Sequence, residues 1–206
     1  MTTVDAADGF GLFVRREFFD ARTCREIVAR MRAGGGEEAT VYGVGATARV
    51  EERVRRVARH APPRETVESV RGRLLECMSE VGRHFGRTLS ECEEPQFLRY
   101  RVGDFFVAHQ DGNTGMMRLE QESRLVSVVI FLNRQSDAPD PRDPREAGDF
   151  RGGTLVFHDR RARRADEATL HFKAEPGTLV AFRAETTHEV TPVTHGERHT
   201  IACWYR

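Results

Sequence analysis

The chain has 206 residues, and Lys plus Arg balance Asp plus Glu at 32 each. That is enough for one substantial core and too little for two enzyme domains. A balanced charge gives no reason to expect nucleic acid or an anionic membrane as a partner. A single domain over residues 1–206 is expected, with a helix-rich N-terminal support (1–95) ahead of a β-rich core (96–206). Cys24, Cys77, Cys92 and Cys203 form no Cys-x-x-Cys and carry no pairing cue, which fits reduced thiols rather than a zinc ribbon or a disulfide scaffold. The first nine residues include Asp5 and Asp8 instead of a basic, apolar leader, and about 18 consecutive apolar residues occur nowhere. A cytoplasmic protein without a membrane partner is the expectation, and the oligomeric state is left open.

In chain order, residues 11–15 read as a first strand, and Asp20 or Thr23 can cap a helix with Ile27, Val28 and Met31 on one stripe. Gly34-Gly35-Gly36 ends that helix. Residues 41–45 fit a strand or a loop, and residues 49–59 are charged, with Val50, Val54 and Val57 at helical spacing. Pro62-Pro63 can open the next helix, because proline is tolerated in a first turn. That helix is the clearest element: Val67, Val70, Leu74, Met78, Val81 and Phe85 form an apolar stripe that needs a sheet or another helix to cover it.

From Gln96 onward the pattern changes to short β-branched and aromatic runs separated by turn residues. Strands are expected over residues 97–100, 105–109, 125–133, 153–157, 168–172, 178–182, 188–193 and 199–205. Eight or so strands with polar turns predict a mainly β fold with supporting helices and a jelly-roll core. Residues 134–151, rich in proline and charge, read as a loop or lid beside the site, and residues 160–167 as an arginine-rich polar segment.

The chemistry centres on Val107-Ala108-His109-Gln110-Asp111-Gly112-Asn113. In a strand, residues two apart share a face, which sets the His109 imidazole beside the Asp111 carboxylate. His-x-Asp alone is weak, since a surface pair at a turn has the same spacing. It gains meaning from His188 in a distant strand, from Arg198 one hairpin later and from the Glu175-Pro176-Gly177 turn before the distal strand. Two His and one Asp can hold one face of an iron and leave three positions open; zinc also suits them.

Arg198, Thr200 and Ala202 alternate onto one face of the last strand, where a guanidinium fork and a hydroxyl suit a carboxylate. A solvent salt bridge of Arg198 with Glu197 is the plain alternative. Tyr100 can add a phenol to the same pocket or be a core aromatic, and Trp204, on the Arg198 face, reads as packing. His60, His84, His158 and His195 lack a partner at ligand spacing, His199 beside Arg198 should face the other side of its strand, and His171 reads as an exposed strand residue.

The run from Phe97-Leu98-Arg99-Tyr100 through His109-Gln110-Asp111, with Gly152-Gly153-Thr154-Leu155-Val156-Phe157, Pro176-Gly177 and His188-Glu189-Val190-Thr191-Pro192-Val193, resembles the prolyl 4-hydroxylase-like branch of the Fe(II)/2-oxoglutarate dioxygenases over about residues 96–206. The resemblance implies a double-stranded β-helix in which His109, Asp111 and His188 ligate Fe(II) and Arg198 pairs with the distal carboxylate of 2-oxoglutarate. Thr200 and Tyr100 are candidate neighbours of that anion. It further implies O2 as co-substrate, ascorbate as a candidate stimulant, and succinate and CO2 as co-products of hydroxylating an unactivated C–H. Asp111 favours hydroxylation over halogenation, which needs a non-ligating residue at that position. Three substrate classes stay open: a peptidyl residue, prolyl among the candidates; a free amino acid; or a small natural-product intermediate. So do two other readings, a non-catalytic metal-binding jelly-roll module and a zinc hydrolase.

Overall fold

The computed structural model describes residues 9–34, 54–112, 124–136, 149–159 and 169–206, and the backbone of residues 36–38. The expectations for residues 41–45, Val50, Asn113, residues 137–148 of the polar loop and residues 160–167 lie outside the described residues.

Asp20 caps helix α1 (Ala21–Ala33): its Oδ1 accepts the Thr23 N–H at 2.6 Å, satisfying one of the donors left open in a first turn. Arg30 and Arg32 stand in the last turn, where cations suit the helix dipole. Cys24, Ile27 and Met31, three and four residues apart, form its buried stripe. Pro63 precedes helix α2 (Arg64–Phe85), and Gly86 closes it in the left-handed conformation at φ 62°. Val70, Leu74, Cys77, Val81 and Phe85 are buried along one side, with Val67 and Met78 packed at the margin.

Strands β1 (Phe13–Arg15), β2 (Gly36–Glu38), β3 (Ala58–His60), β4 (Gln96–Tyr100), β6 (Val126–Phe131), β10 (Leu179–Arg183) and β13 (Arg198–Tyr205) form a major sheet in the order β1-β10-β6-β13-β4-β3-β2. A minor sheet has the order β5-β11-β8-β9, built from β5 (Phe106–His109), β11 (Thr187–Val190), β8 (Leu155–His158) and β9 (Thr169–Phe172). Strands β7 (Arg151–Gly152) and β12 (Val193–His195) pair separately.

Alternation in the major sheet produces two cores. Val126, Val128 and Ile130 of β6, with Ile201, Cys203 and Tyr205 of β13, pack under the helices. Tyr100, Phe131, Val180 and Phe182 face the other way, against Leu155, Phe157, Phe172 and Val190 of the minor sheet. Two antiparallel sheets closed over a shared interior are the expected jelly roll.

Three expectations need correction. Within residues 49–59, the described part is extended rather than helical: Arg55 bridges to Phe106, and β3 pairs with β4. The free edge of β4 offers unpaired backbone groups, and satisfying them outweighs a weak helical spacing. The N-terminal half is therefore not only a helical support, since β1 and β3-β2 lengthen the major sheet at both ends. The run expected over residues 188–193 also breaks, with β11 ending at Val190 and β12 turning away to β7. Pro192 between them has no N–H for a ladder, and its carbonyl accepts from Gly153 N–H at 3.0 Å.

Candidate metal centre and anion pocket

His109 sits directly across from His188 in the β5/β11 ladder, while Val190 sits across from Phe106. β5 thus carries an extra residue relative to β11. This bulge lets Phe106 and His109, three positions apart, point the same way, and their rings stack with centroids 3.5 Å apart. Asp111 lies past the end of β5, in a bend rather than in the strand expected for it. The bend is anchored by the Ala184 carbonyl, which accepts the N–H groups of Asp111 at 3.0 Å and Gly112 at 2.9 Å. A Cβ on Gly112 would come within 2.8 Å of the Arg124 carbonyl oxygen, so this approach needs glycine.

The three side chains converge. His109 Nε2 is 3.6 Å from Asp111 Oδ1, His188 Nε2 is 3.6 Å from Asp111 Oδ2, and the candidate ligand atoms lie within 4.8 Å of one another. Nδ1 of His109 donates to the Val107 carbonyl at 2.8 Å, and Nδ1 of His188 to the Thr186 carbonyl at 3.0 Å. In the neutral ring this places the proton on Nδ1 and leaves the Nε2 lone pair facing Asp111, the tautomer a metal needs. Burial pushes His188 down to about 4, against the pull of Asp111, so the ring is neutral at physiological pH. Burial alone would raise Asp111; the two histidines and the Trp204 indole outweigh it and hold the carboxyl below its ordinary range.

Two groups from the major sheet reach this carboxylate. Ser127 of β6 donates its hydroxyl to Asp111 Oδ2 at 2.7 Å. Trp204 of β13 faces the same group and helps to lower its pKa, though its buried indole N–H makes no hydrogen bond among the described residues. Trp204 was expected only to pack, and Ser127 was not singled out, although it is the lone polar residue in the apolar run Val126-Ser127-Val128-Val129-Ile130-Phe131. That interruption was the available signal.

Arg198 is 1% exposed and lies on the interior face of β13, as the alternation predicts. Its Nη1 donates to Thr200 Oγ1 at 3.2 Å, and the guanidinium carbon is 4.9 Å from the Tyr100 ring centre and 5.3 Å from that of Phe131. Gly153, at φ 57°, makes room for it: a Cβ there would lie 3.0 Å from Arg198 Cδ. Among the described residues no carboxylate pairs with Arg198, and its Nε has no partner at all. The expected alternative of a Glu197 salt bridge fails, because Glu197 lies instead near Arg32 at 3.3 Å, Arg99 at 3.7 Å and Arg101 at 4.0 Å. Burial lowers Arg198 only to about 10, leaving a cation at neutral pH. A buried, unpaired guanidinium is costly unless an anion joins it. The residues therefore fit both a metal ion and an anionic ligand beside it.

The other histidines have ordinary surroundings or sit apart from the cluster. His60 Nδ1 donates to the Met31 carbonyl at 2.8 Å, and His158 Nε2 is 3.3 Å from Glu189. All four cysteines are buried free thiols, though Cys92 and Cys203 sulfurs approach to 3.5 Å, a contact their spacing gave no hint of. No described helix is long and apolar enough to cross a membrane.

A family model described as the 2OG-Fe(II) oxygenase superfamily matches residues 95–206. The chain belongs to that superfamily. Iron, 2-oxoglutarate and O2 are accordingly its cofactor and co-substrates. A PKHD-type hydroxylase of Shewanella oneidensis is 30% identical over 115 residues, covering 53% of this chain and 41% of the relative. The chain thus spans about two fifths of the length of that curated relative. Among solved structures, a Pseudomonas putida prolyl-4-hydroxylase superposes with a TM-score of 0.68 at 23% identity, covering 99% of this chain and 96% of the other. A Trichoplax adhaerens prolyl hydroxylase, solved in complex with a hypoxia inducible factor oxygen degradation domain peptide fragment, gives 0.64 at 16% identity, covering 98% and 86%. At these identities the structural likeness shows the shared fold of the superfamily.

Proposed function

We propose that this oxygenase hydroxylates an unactivated C–H of a peptidyl or amino-acid substrate, prolyl residues among the candidates, releasing succinate and CO2 from 2-oxoglutarate. His109 Nε2, the Asp111 carboxylate and His188 Nε2 bind Fe(II), which supplies the oxidising chemistry when bound. Arg198 holds the distal carboxylate of 2-oxoglutarate, Thr200 orients the guanidinium, and the Tyr100 and Phe131 rings keep water from that end. The Nδ1 hydrogen bonds fix both imidazoles, and Ser127 fixes the Asp111 carboxylate. The observation that carries this reading is Arg198, a fully buried cation with no counter-ion among the described residues, in the same interior as a His/Asp/His cluster. The hydroxylase and prolyl hydroxylase names of the relatives support the reaction, and the peptide bound to one of them supports a peptidyl substrate.

The test begins under anaerobic conditions, where Fe(II) and 2-oxoglutarate together should give a visible absorption band that neither gives alone. On admitting O2, 2-oxoglutarate should yield succinate, and a proline-containing peptide or a cell-extract component should gain one oxygen by mass. Arg198→Met should raise the 2-oxoglutarate requirement by roughly ten- to a hundredfold, the scale of a lost charge-assisted pair. Tight zinc with no such band, or an unchanged 2-oxoglutarate requirement in the variant, would refute the assignment.

A further inference from the structure

Half-buried arginines elsewhere in the fold sit on carboxylates: Arg15 on Glu80, Arg99 on Glu197, Arg124 and Arg206 on Glu93. Arg198 breaks that pattern, and so does Arg55. The segment around Arg55 adds to the open edge of β5, with Arg56 N–H donating to the Phe105 carbonyl at 2.9 Å and Val107 N–H to the Val54 carbonyl at 3.0 Å. This lays the Arg55 guanidinium against the Phe106 ring, 4.7 Å from its centre. Phe106 in turn stacks on His109. Arg55 Nε is buried without a partner, and no described carboxylate pairs with this arginine.

We propose that Arg55 is a specificity-determining residue that receives a carboxylate of the substrate, one aromatic ring away from the His109/Asp111/His188 cluster. This rests on the hydroxylase reading and narrows its substrate to an acid. A half-buried guanidinium with no carboxylate partner among the described residues is left without the counter-ion that the other half-buried arginines named above have, and leaving such donors unpaired is unfavourable. A carboxylate supplies the missing counter-ion, since the guanidinium fork takes it through two hydrogen bonds.

Distance limits where that carboxylate can be. Stacking separations of 3.5 Å and 4.7 Å place the guanidinium carbon at most about 8 Å from the His109 ring centre. An extended chain advances roughly 3.3–3.6 Å per residue. With the further reach from ring to metal, from metal to substrate and from guanidinium to carboxylate, the acid lies within a few residues of the carbon presented to the metal. Either an Asp or Glu beside the oxidised residue or the α-carboxylate of a free amino acid meets that condition.

The probes are end-blocked proline peptides with Asp or Asn on either side of the proline, and free proline against prolinamide. Each is incubated with Fe(II)-loaded enzyme, 2-oxoglutarate and O2, and followed by succinate release and mass gain. The carboxylate-bearing probes should show a KM roughly ten- to a hundredfold below that of their amides. Peptide and free acid compete within that set, so the arm preferred identifies the source of the carboxylate. Arg55→Met keeps an unbranched side chain over Phe106 and should erase the preference through KM with kcat retained, whereas Arg55→Lys should keep most of it. A packing role gives the opposite order, with Met tolerated and Lys impaired. The proposal is overturned if no acid probe outperforms its amide, or if Arg55→Met leaves the preference intact. Amides oxidised as well as acids sink the carboxylate site alone; a missing Fe(II)/2-oxoglutarate band sinks the hydroxylase reading beneath it.

Discussion

Ser127 carries the plainest residue-scale consequence. It is 1% exposed, and its hydroxyl ties β6 of one sheet to Asp111 in the bend that follows β5 of the other. A carboxylate that must present an oxygen to a metal gains from having its rotation fixed, and loss of such support typically weakens metal binding ten- to a hundredfold. Ser127→Ala should therefore weaken Co(II) binding, used as a spectroscopic substitute for iron, by roughly that factor while thermal stability of the metal-free protein changes little. Co(II) affinity equal to wild type would mean Asp111 is held by its bend alone. The ligand candidates themselves were legible because they carry rare chemistry at informative spacing: His109 and Asp111 two apart, His188 and Arg198 in later strands. Ser127 and Arg55 were not, because their meaning depends on which strand crosses which. The arginines of residues 49–59 read from sequence either as solvated surface or as contacts for an acidic substrate, and nothing singled out Arg55 until its pairing with β5 set it over Phe106.

At the scale of elements, β13 shows how one strand serves two purposes. Its even-numbered residues Arg198, Thr200, Ala202 and Trp204 face the site side, while Ile201, Cys203 and Tyr205 lie under the helices. The period of two made this readable in advance. So was the α2 stripe, whose members are buried nearly as expected. Two features were hidden. The three-residue strand β3 owes its existence to the edge of β4 rather than to its own propensity, and the β5 bulge appears only once β11 is opposite. Helix α2 is pinned to β13 by Leu74, which is fully buried and whose carbonyl accepts the Tyr205 hydroxyl at 2.8 Å. Leu74→Ala leaves that hydrogen bond but opens a cavity, and should cost about 2–5 kcal/mol in urea unfolding. Because the cavity is on the helix side of the sheet, Co(II) affinity of the folded variant should stay within about twofold, well inside the tenfold per 1.4 kcal/mol of a real coupling. A larger loss would mean that helix packing sets the position of the metal ligands.

For the molecule as a whole, the boundary suggested by family likeness and the boundary required by packing are different. The family match begins at residue 95, yet the major sheet it contains is completed from outside it, by β1 against β10 and by β3 against β4. Cys24, Ile27, Met31, Val70, Leu74, Val81 and Phe85 supply the helical half of the outer core. Residues 96–206 alone would expose two unpaired strand edges and the apolar face of β6 and β13, surfaces that favour aggregation over a unique fold. We propose that residues 1–206 form one folding unit, in which the N-terminal half is structural as well as a candidate determinant of substrate choice through Arg55. A fragment of residues 96–206 should bind the dye ANS strongly, lack a cooperative melting transition and fail to bind Co(II) at the affinity of the full chain. Adding the 1–95 fragment in trans should restore a transition, since the lost contacts are side-chain packing and strand pairing rather than chain continuity. If the shorter fragment melts cooperatively and keeps Co(II) affinity by itself, the jelly roll closes without its N-terminal strands, and the one-unit organisation is wrong.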